Sequence, residues 1–417
     1  MLNTIPKDST FTSAEMNLET KLPVRSLWIV KTGCVCAILS FNISTGFSQN
    51  WTEESEFAGI ERDDAVGFSV GNTGFVGTGR DAGFQYTSDF YKFENDSWSQ
   101  IPSILGDARQ YCSSFSFSNQ GCIVNGVNAS DQVLNELQCF DPELNEWSYH
   151  STFPGLPRLQ SASFSIGEKG YCGSGRNDTL VFSDWYVYDP VRDTWNGISD
   201  FPDERYESVT FVINGIAYVG LGANLDGDFF NTFYRYSPLE SSWFRIAEFP
   251  GLARTYSQGF NQDGKGFVCG GMDENGNILN ECWEYDPSID EWSQVDDFPK
   301  KMRGMSHFKL SGCNYFVTGL DESFNRIKST YSSCTDEEIG DGFLIYPNPS
   351  IGKIAIVVES EFEETNLQIF NVLGKLVYQS SITFSYTLLD LSDFDVGVYI
   401  LYFRNDKREI IKKLVLN

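Results

Sequence analysis

Arg254-Thr255-Tyr256-Ser257-Gln258-Gly259-Phe260, followed by Gly270-Gly271, Tyr285-Asp286-Pro287 and Trp292, is the stretch whose reading decides the fold. Its landmarks return throughout residues 49–341. Arginine recurs at Arg62, Arg109, Arg158, Arg205, Arg254 and Arg303, at spacings of 47, 49, 47, 49 and 49. Phenylalanine follows the first five by six positions, at Phe68, Phe115, Phe164, Phe211 and Phe260, but Phe308 comes one position early after Arg303. Glycine closes the next strand at Gly79, Gly126, Gly175, Gly222, Gly271 and Gly319. An aromatic residue then precedes a turn, as in Phe140-Asp141-Pro142, Tyr188-Asp189-Pro190 and Tyr236-Ser237-Pro238. Proline presets the backbone for such a turn. Tryptophan ends the unit at Trp98, Trp147, Trp195, Trp243 and Trp292.

Each unit reads as four short strands, the size of one propeller blade. Trp51 precedes the first arginine and no tryptophan follows Arg303. The sixth unit is therefore expected to borrow its outer strand from around Trp51, which closes the ring and removes open edges. The expected fold is all-β: a six-bladed propeller closed by an N-terminal outer strand, then a small C-terminal β-sandwich. The repeat resembles Kelch repeats in its arginine entry, its glycine and its Tyr-Asp-Pro…Trp run. It departs from them in the paired glycine, which only Gly270-Gly271 keeps. Thr78, Asn125, Ser174, Leu221 and Thr318 stand before the other glycines.

Residues 342–417 differ in composition. Tyr346-Pro347-Asn348-Pro349 opens a run of alternating strands with turns at Asn371-Val372-Leu373-Gly374, a Gly397-Val398-Tyr399 strand and Lys412-Lys413 near the end. Period-two alternation reads as a small sandwich. These motifs resemble the C-terminal sorting domain of the type IX (Por) secretion system of diderm bacteria. The resemblance implies the type IX machinery as a partner, and secretion or display on the outer-membrane surface. Residues 1–48 read as a signal peptide: Lys21 and Arg25, apolar stretches around Leu27–Val30 and Cys34–Phe41, then small residues to Ser48.

The formal charge is −27, from 30 Lys+Arg against 57 Asp+Glu, and the propeller segment carries −26 of it. Nucleic-acid binding is not expected of such a chain. No apolar run reaches the ~18–20 residues that span a bilayer as a helix. His150 and His307 are the only histidines, one on an outer and one on an inner strand, so no metal site, cofactor or Ser-His-Asp centre is expected. The loops Asp273–Asn277 and Asp226–Asp228 offer oxygens without completing a calcium loop.

First strands line a propeller channel, so the candidate ligand site is the mouth where Arg62, Arg109, Arg158, Arg205, Arg254 and Arg303 would gather, with Glu204 and Glu207 beside Arg205. Arginine forks bind carboxylates bidentately, which suggests a carboxylated glycan or sugar acid. The alternative is that each arginine is a structural landmark paired with neighbouring acids or carbonyls. Two functions compete: a secreted or surface module binding an extracellular glycan or protein, and a sugar-acid mutarotase or epimerase of the Kelch type. Eight cysteines follow the leader. Cys269 and Cys282 are symmetric about Asn275-Gly276, so a two-residue hairpin would pair them, and Cys122 with Cys139 and Cys313 with Cys334 likewise join second and third strands. Buried free thiols are the other reading.

Overall fold

The computed structural model describes residues 50–334, 343–346, 348, 350, 352–358, 364–383, 386–405 and 409–417. The leader, residues 1–48, lies outside them. Five antiparallel four-stranded sheets run in chain order, beginning with Val66–Val70, Thr73–Gly77, Phe90–Glu94 and Ser97–Ile101. The sixth blade takes Ser306–Leu310, Cys313–Asp321 and Arg326–Cys334 from the end of the propeller, and Trp51–Glu53 from its start. Trp51 lies opposite Ser333, so the ring closes through backbone pairing of its two ends.

Side-chain alternation along the inner strands builds the core. Val66, Phe68 and Val70 are buried while Gly67 and Ser69 are half-buried. The landmark phenylalanine stacks on an aromatic of the second strand, as in Phe68–Phe75 at 5.2 Å and Phe211–Tyr218 at 5.2 Å between centroids. In Phe68, Phe115, Phe211 and Phe308 the other edge lies over a glycine of the next blade. A Cβ on Gly121 would come within 2.0 Å of Phe68, so that blade contact requires glycine. Each tryptophan ties its blade to the previous one: Trp147 packs on Phe90 at 4.9 Å and donates from Nε1 to Pro102 O at 2.9 Å. Trp195, Trp243 and Trp292 repeat the bond to Ser151, Ser199 and Ala247.

The repeat arginines do not line the mouth, which corrects the expected six-arginine site. Arg62, Arg109, Arg158, Arg205 and Arg254 are at most 1% exposed and lie inside the blades. Arg158 is typical. It donates to Leu156 O (3.0 Å), Ser174 O (3.0 Å) and the Asp184 carboxylate (2.6 and 3.0 Å), and stacks on Phe153 and Phe182. Asp89, Glu136, Asp203 and Glu281 serve the other four. Each arginine thus clamps the loop entering its blade to the loop between the second and third strands. Arg109 bonds Asp107 O and Glu136; the carbonyl that the other four hold belongs to the residue before the landmark glycine. That residue has φ near +60° in every blade, which Asn, Ser, Thr or Leu adopts for ~1–2 kcal/mol. The glycine after it reaches φ of +87° to +122°, and in Gly222 a Cβ would sit 2.4 Å from Tyr206 O. Only the second glycine is indispensable, so the first varies.

The sixth blade is out of phase by one. Met302, 1% exposed, occupies the arginine position: its backbone N donates to Leu279 O and its carbonyl accepts from Gly271, as Arg158 does with Leu134 and Gly126. Phe308 is then in phase. So is Asp321, the last of six side chains that cap the loop between second and third strands, after Asp81, Asn128, Asn177, Asn224 and Asp273. Those caps explain the acidic loops by local structure: Asp273 Oδ1 accepts from the amides of Asn275 and Asn277. Asn275-Gly276 is accordingly part of a capped turn and not of a two-residue hairpin. Cys269 and Cys282 still face one another and are bonded, as are Cys122–Cys139 and Cys313–Cys334. Cys112 and Cys172 are free, and burial pushes both thiols up to about 11.

The C-terminal segment forms a three-stranded sheet (Phe343–Tyr346, Lys353–Val358, Tyr386–Asp390) and a four-stranded sheet (Leu376–Ile382, Thr365–Asn371, Gly397–Arg404, Glu409–Leu416). Ile354, Ile356, Leu367, Ile369, Leu401 and Leu414 fill the core between them.

Removing one partner of a buried ion pair leaves the other uncompensated. Arg158→Ala is expected to lower the unfolding free energy by ~3 kcal/mol, read from denaturant melts, the partial exposure of Asp184 keeping the loss at the low end of that class. A loss below ~1 kcal/mol would show that the clamp does not hold the blade.

Candidate functional site at the propeller mouth

Two residues beyond each clamp the chain turns into the axis. Asp64, Tyr111, Gln160, Glu207, Tyr256 and Gly304 all have left-handed backbones, with φ between +52° and +60°. Their peptide groups join in two runs of three: Asp64 N donates to Gly304 O and Gly304 N to Tyr256 O, while Glu207 N donates to Gln160 O and Gln160 N to Tyr111 O, at 3.0–3.1 Å. Five non-glycine residues held at positive φ cost several kcal/mol together, a strain typical of functional positions. The order gives pseudo-twofold symmetry, acid–tyrosine–glutamine facing acid–tyrosine–glycine.

These residues, with Ala65, Cys112, Ser161, Ser208, Ser257 and Met305 beneath them, line a cavity of about 130 Å³. That second layer is also the roof of an axial channel of about 400 Å³, whose wall includes Ser114, Ser163, Thr210 and Ser306. Within the mouth, Gln110 Nε2 donates to Asp64 Oδ2 at 2.6 Å, and Gln160 Nε2 donates to the Tyr256 hydroxyl at 3.1 Å. The rings of Tyr111 and Tyr256 face each other at 6.4 Å between centroids.

Arg303 stands behind this wall, its guanidinium 4.4 Å from the Tyr256 ring and 3.4–3.5 Å from Asp63 and Asp64. Arg326 donates to Asp63 at 2.6 Å, and Arg176 donates to Gln160 Oε1 at 2.6 Å. Burial, reinforced by Asp63, holds the Asp64 carboxyl well above the usual carboxylate range. Burial also pushes Glu207 up to about 7, against the pull of Arg303 and Arg176, and raises both tyrosines. A carboxyl poised near neutrality in a cavity is equipped to exchange protons.

Of the residues expected here, the structure brings Glu207 into the mouth and Arg303 to its back wall. Glu204 is solvent-exposed and outside the cavity. Gln110, Gln160, Arg176, Ser208 and Arg326 were not legible as site residues, although Gln160 shares the phase of Asp64 and Glu207. His150 lies on an outer strand against Tyr188, and His307 is bonded to Asn314 with burial lowering it to about 4. Among the described residues no group of three or more His, Cys, Asp or Glu is placed to hold a metal.

Residues 262–299 match the Kelch motif, and residues 344–417 match the secretion system C-terminal sorting domain. The propeller is therefore of the Kelch type, and the chain carries a type IX export address to the cell surface or the medium. Part of the chain is similar to N-acetylneuraminate epimerase of Escherichia coli O157:H7, 40% identical over 85 residues, covering 19% of this chain and 23% of that protein. Ulvan lyase NLR42 of Nonlabens ulvanivorans is 33% identical over 121 residues, 28% of this chain and 22% of the relative. An N-(sulfonatooxy)prop-2-enimidothioate sulfolyase of Thlaspi arvense is 29% identical over 108 residues, 22% and 31% of the two chains. Each match spans less than a third of the relative. The solved structure of YjhT superposes with a TM-score of 0.61 at 11% identity, covering 68% of this chain and 98% of that one, a likeness of fold.

Glu207 gives the mouth a measurable signature. Its carboxyl lies above the ordinary 4.5 when folded, so the folded chain holds a proton that the unfolded chain has released between about 4.5 and about 7. Stability should fall as pH rises through that window, by ~2 kcal/mol after allowance for partial exposure. Glu207→Gln is expected to flatten this slope in melts at pH 5 and pH 8, and an unchanged slope would remove Glu207 as its source.

Proposed function

We propose that this is an exported binding protein whose propeller mouth takes a small, hydroxyl-rich ligand, a saccharide free or at the end of a glycan. The observation that carries this reading is the lining itself: two carboxyls, two neighbouring tyrosine rings, the Gln160 amide and three serines around one cavity. Aromatic faces cover the apolar side of a sugar ring, while carboxyls and amides pair with its hydroxyls. A protein partner presenting a loop to the same mouth fits less closely, because the cavity admits one side chain or one sugar-sized group. Calorimetric titration of the full-length protein with monosaccharides and short oligosaccharides is the test. The Tyr111→Ala/Tyr256→Ala double variant should lose at least ~tenfold in affinity, about 1.4 kcal/mol. Unaltered affinity in that variant would place the ligand elsewhere.

A second reading is supported by the Glu207 carboxyl near neutrality and by the similarity to an epimerase: catalysed mutarotation or epimerisation of a sugar acid, with Glu207 moving the proton. Rapid-mixing anomer NMR separates the two readings, since binding without faster exchange supports the module alone.

The three-part division of the chain belongs to the same proposal: 1–48 as leader, 49–341 as the working propeller and 342–417 as the sorting domain. Mass spectrometry of the extracellular protein is expected to find a start near Gln49 and the loss of a segment that includes the sandwich. Intact ends at Met1 and Asn417 would refute this processing.

A further inference from the structure

The charge that the mouth presents is opposite to the one its arginines suggest. Among the described residues, Asp64 and Glu207 are the only carboxyl groups lining the cavity, and no lysine or arginine lines it. The nearby guanidinium groups are spent behind the wall: Arg303 on Tyr256, Asp63 and Asp64, Arg326 on Asp63 and Phe84, and Arg176 on Gln160 and Tyr206. The Asp64 side chain is only 5% exposed, yet it turns into the cavity. Ser208 lines the same cavity, and its hydroxyl is shielded from solvent with no hydrogen-bond partner. Between the two acids stand the Tyr111 and Tyr256 rings, whose faces attract cations.

We infer that the mouth receives a cationic amine, so that its sugar ligand carries a free ammonium group and is not a sugar acid; this rests on the saccharide reading above. An ammonium group has only donors to offer, and the site offers it carboxylates from opposite blades, an unpaired hydroxyl and aromatic faces. It also relieves the repulsion that Asp63 and Glu207 exert on Asp64. A carboxylate ligand would meet both acids in a confined, poorly solvated space, and like charges there cost heavily.

The groups facing the acids fix the pH behaviour. Asp64 meets Gln110, Asp63, Arg303 and Glu207, while Glu207 meets Gln160, Arg303, Arg176 and the Tyr256 backbone. A cation entering between them draws protons off the carboxyls. Its binding therefore releases protons and tightens as pH rises toward about 7, and anion binding would do the reverse.

Calorimetry with the full-length protein at pH 6 and pH 7, using glucosamine, N-acetylglucosamine and glucuronate, decides the matter. Glucosamine should bind at least ~tenfold more tightly than either of the others. Its affinity should rise between the two pH values, with proton release measurable in buffers of different ionisation enthalpy. Glu207→Gln and, separately, Asp64→Asn should each remove most of that preference, the glucosamine affinity falling several-fold more than the N-acetylglucosamine affinity, with thermal melts verifying the fold. Glucuronate binding more tightly than glucosamine, or glucosamine no better than its N-acetyl form, overturns the inference and leaves the saccharide reading intact. If no sugar binds, the saccharide reading fails. Spermidine then serves as the probe for the amine site, and no Glu207-dependent binding of spermidine overturns the inference as well.

Discussion

The mouth depends on an interaction that a ligand never meets. In five blades a fully buried guanidinium bonds the loop that enters the blade to the loop between the second and third strands, and in four of them it holds the carbonyl before the landmark glycine. Burying these charges is costly, and pairing offsets that cost without making the clamp a large net source of stability. Its contribution is geometric. With the entering loop pinned on one side and the strand pairing begun on the other, the residue two steps on has a single place to go. Five such anchors and Met302 set six residues at one height, where their peptide groups bond in two runs of three. The left-handed backbone at those positions is tolerated because the clamp and these peptide bonds both hold it.

The architecture was legible because its cause is periodic. Blade count, strand number and the closing strand at Trp51 all follow from landmarks that recur in phase. The site was legible only in part. The arginines drew attention as charges on an inner strand, and nothing in a one-dimensional pattern tells whether such a side chain points to the axis or into the blade. One clue was present: Phe308 follows Arg303 by five and not six. Taken literally, that slip places Met302 at the clamp and Arg303 one step nearer the mouth. The matching acid is missing from the same blade, since Ser329 stands where Asp89, Glu136 and Glu281 stand elsewhere. An arginine without its acid is the one free to serve another purpose.

Gln160 and Gln110 escaped notice for a different reason. Neutral amides carry no compositional signal, and their role comes from neighbours on other blades, Arg176 and Tyr256 for one and Asp64 for the other. The strong acidity of the propeller also proved a poor guide to the site. Most of that charge lies on capped loops and exposed edges, whereas the two acids that matter are in a small cavity and shaped by burial.

The position of one disulfide bears on how the protein carries load. Cys334 is the final described residue of the propeller, and it is bonded to Cys313 at the start of the neighbouring strand. Tension arriving from the C-terminal side, whether from a translocating machine or from a surface attachment, enters at that residue. Without the bond it would peel Arg326–Cys334 away one hydrogen bond at a time, and Trp51–Glu53, paired to the same strand, would go with it. With the bond, force passes covalently into Cys313–Asp321, an inner strand held on both sides. The seam where the ring is sewn shut is thereby shielded from pulling at its loose end.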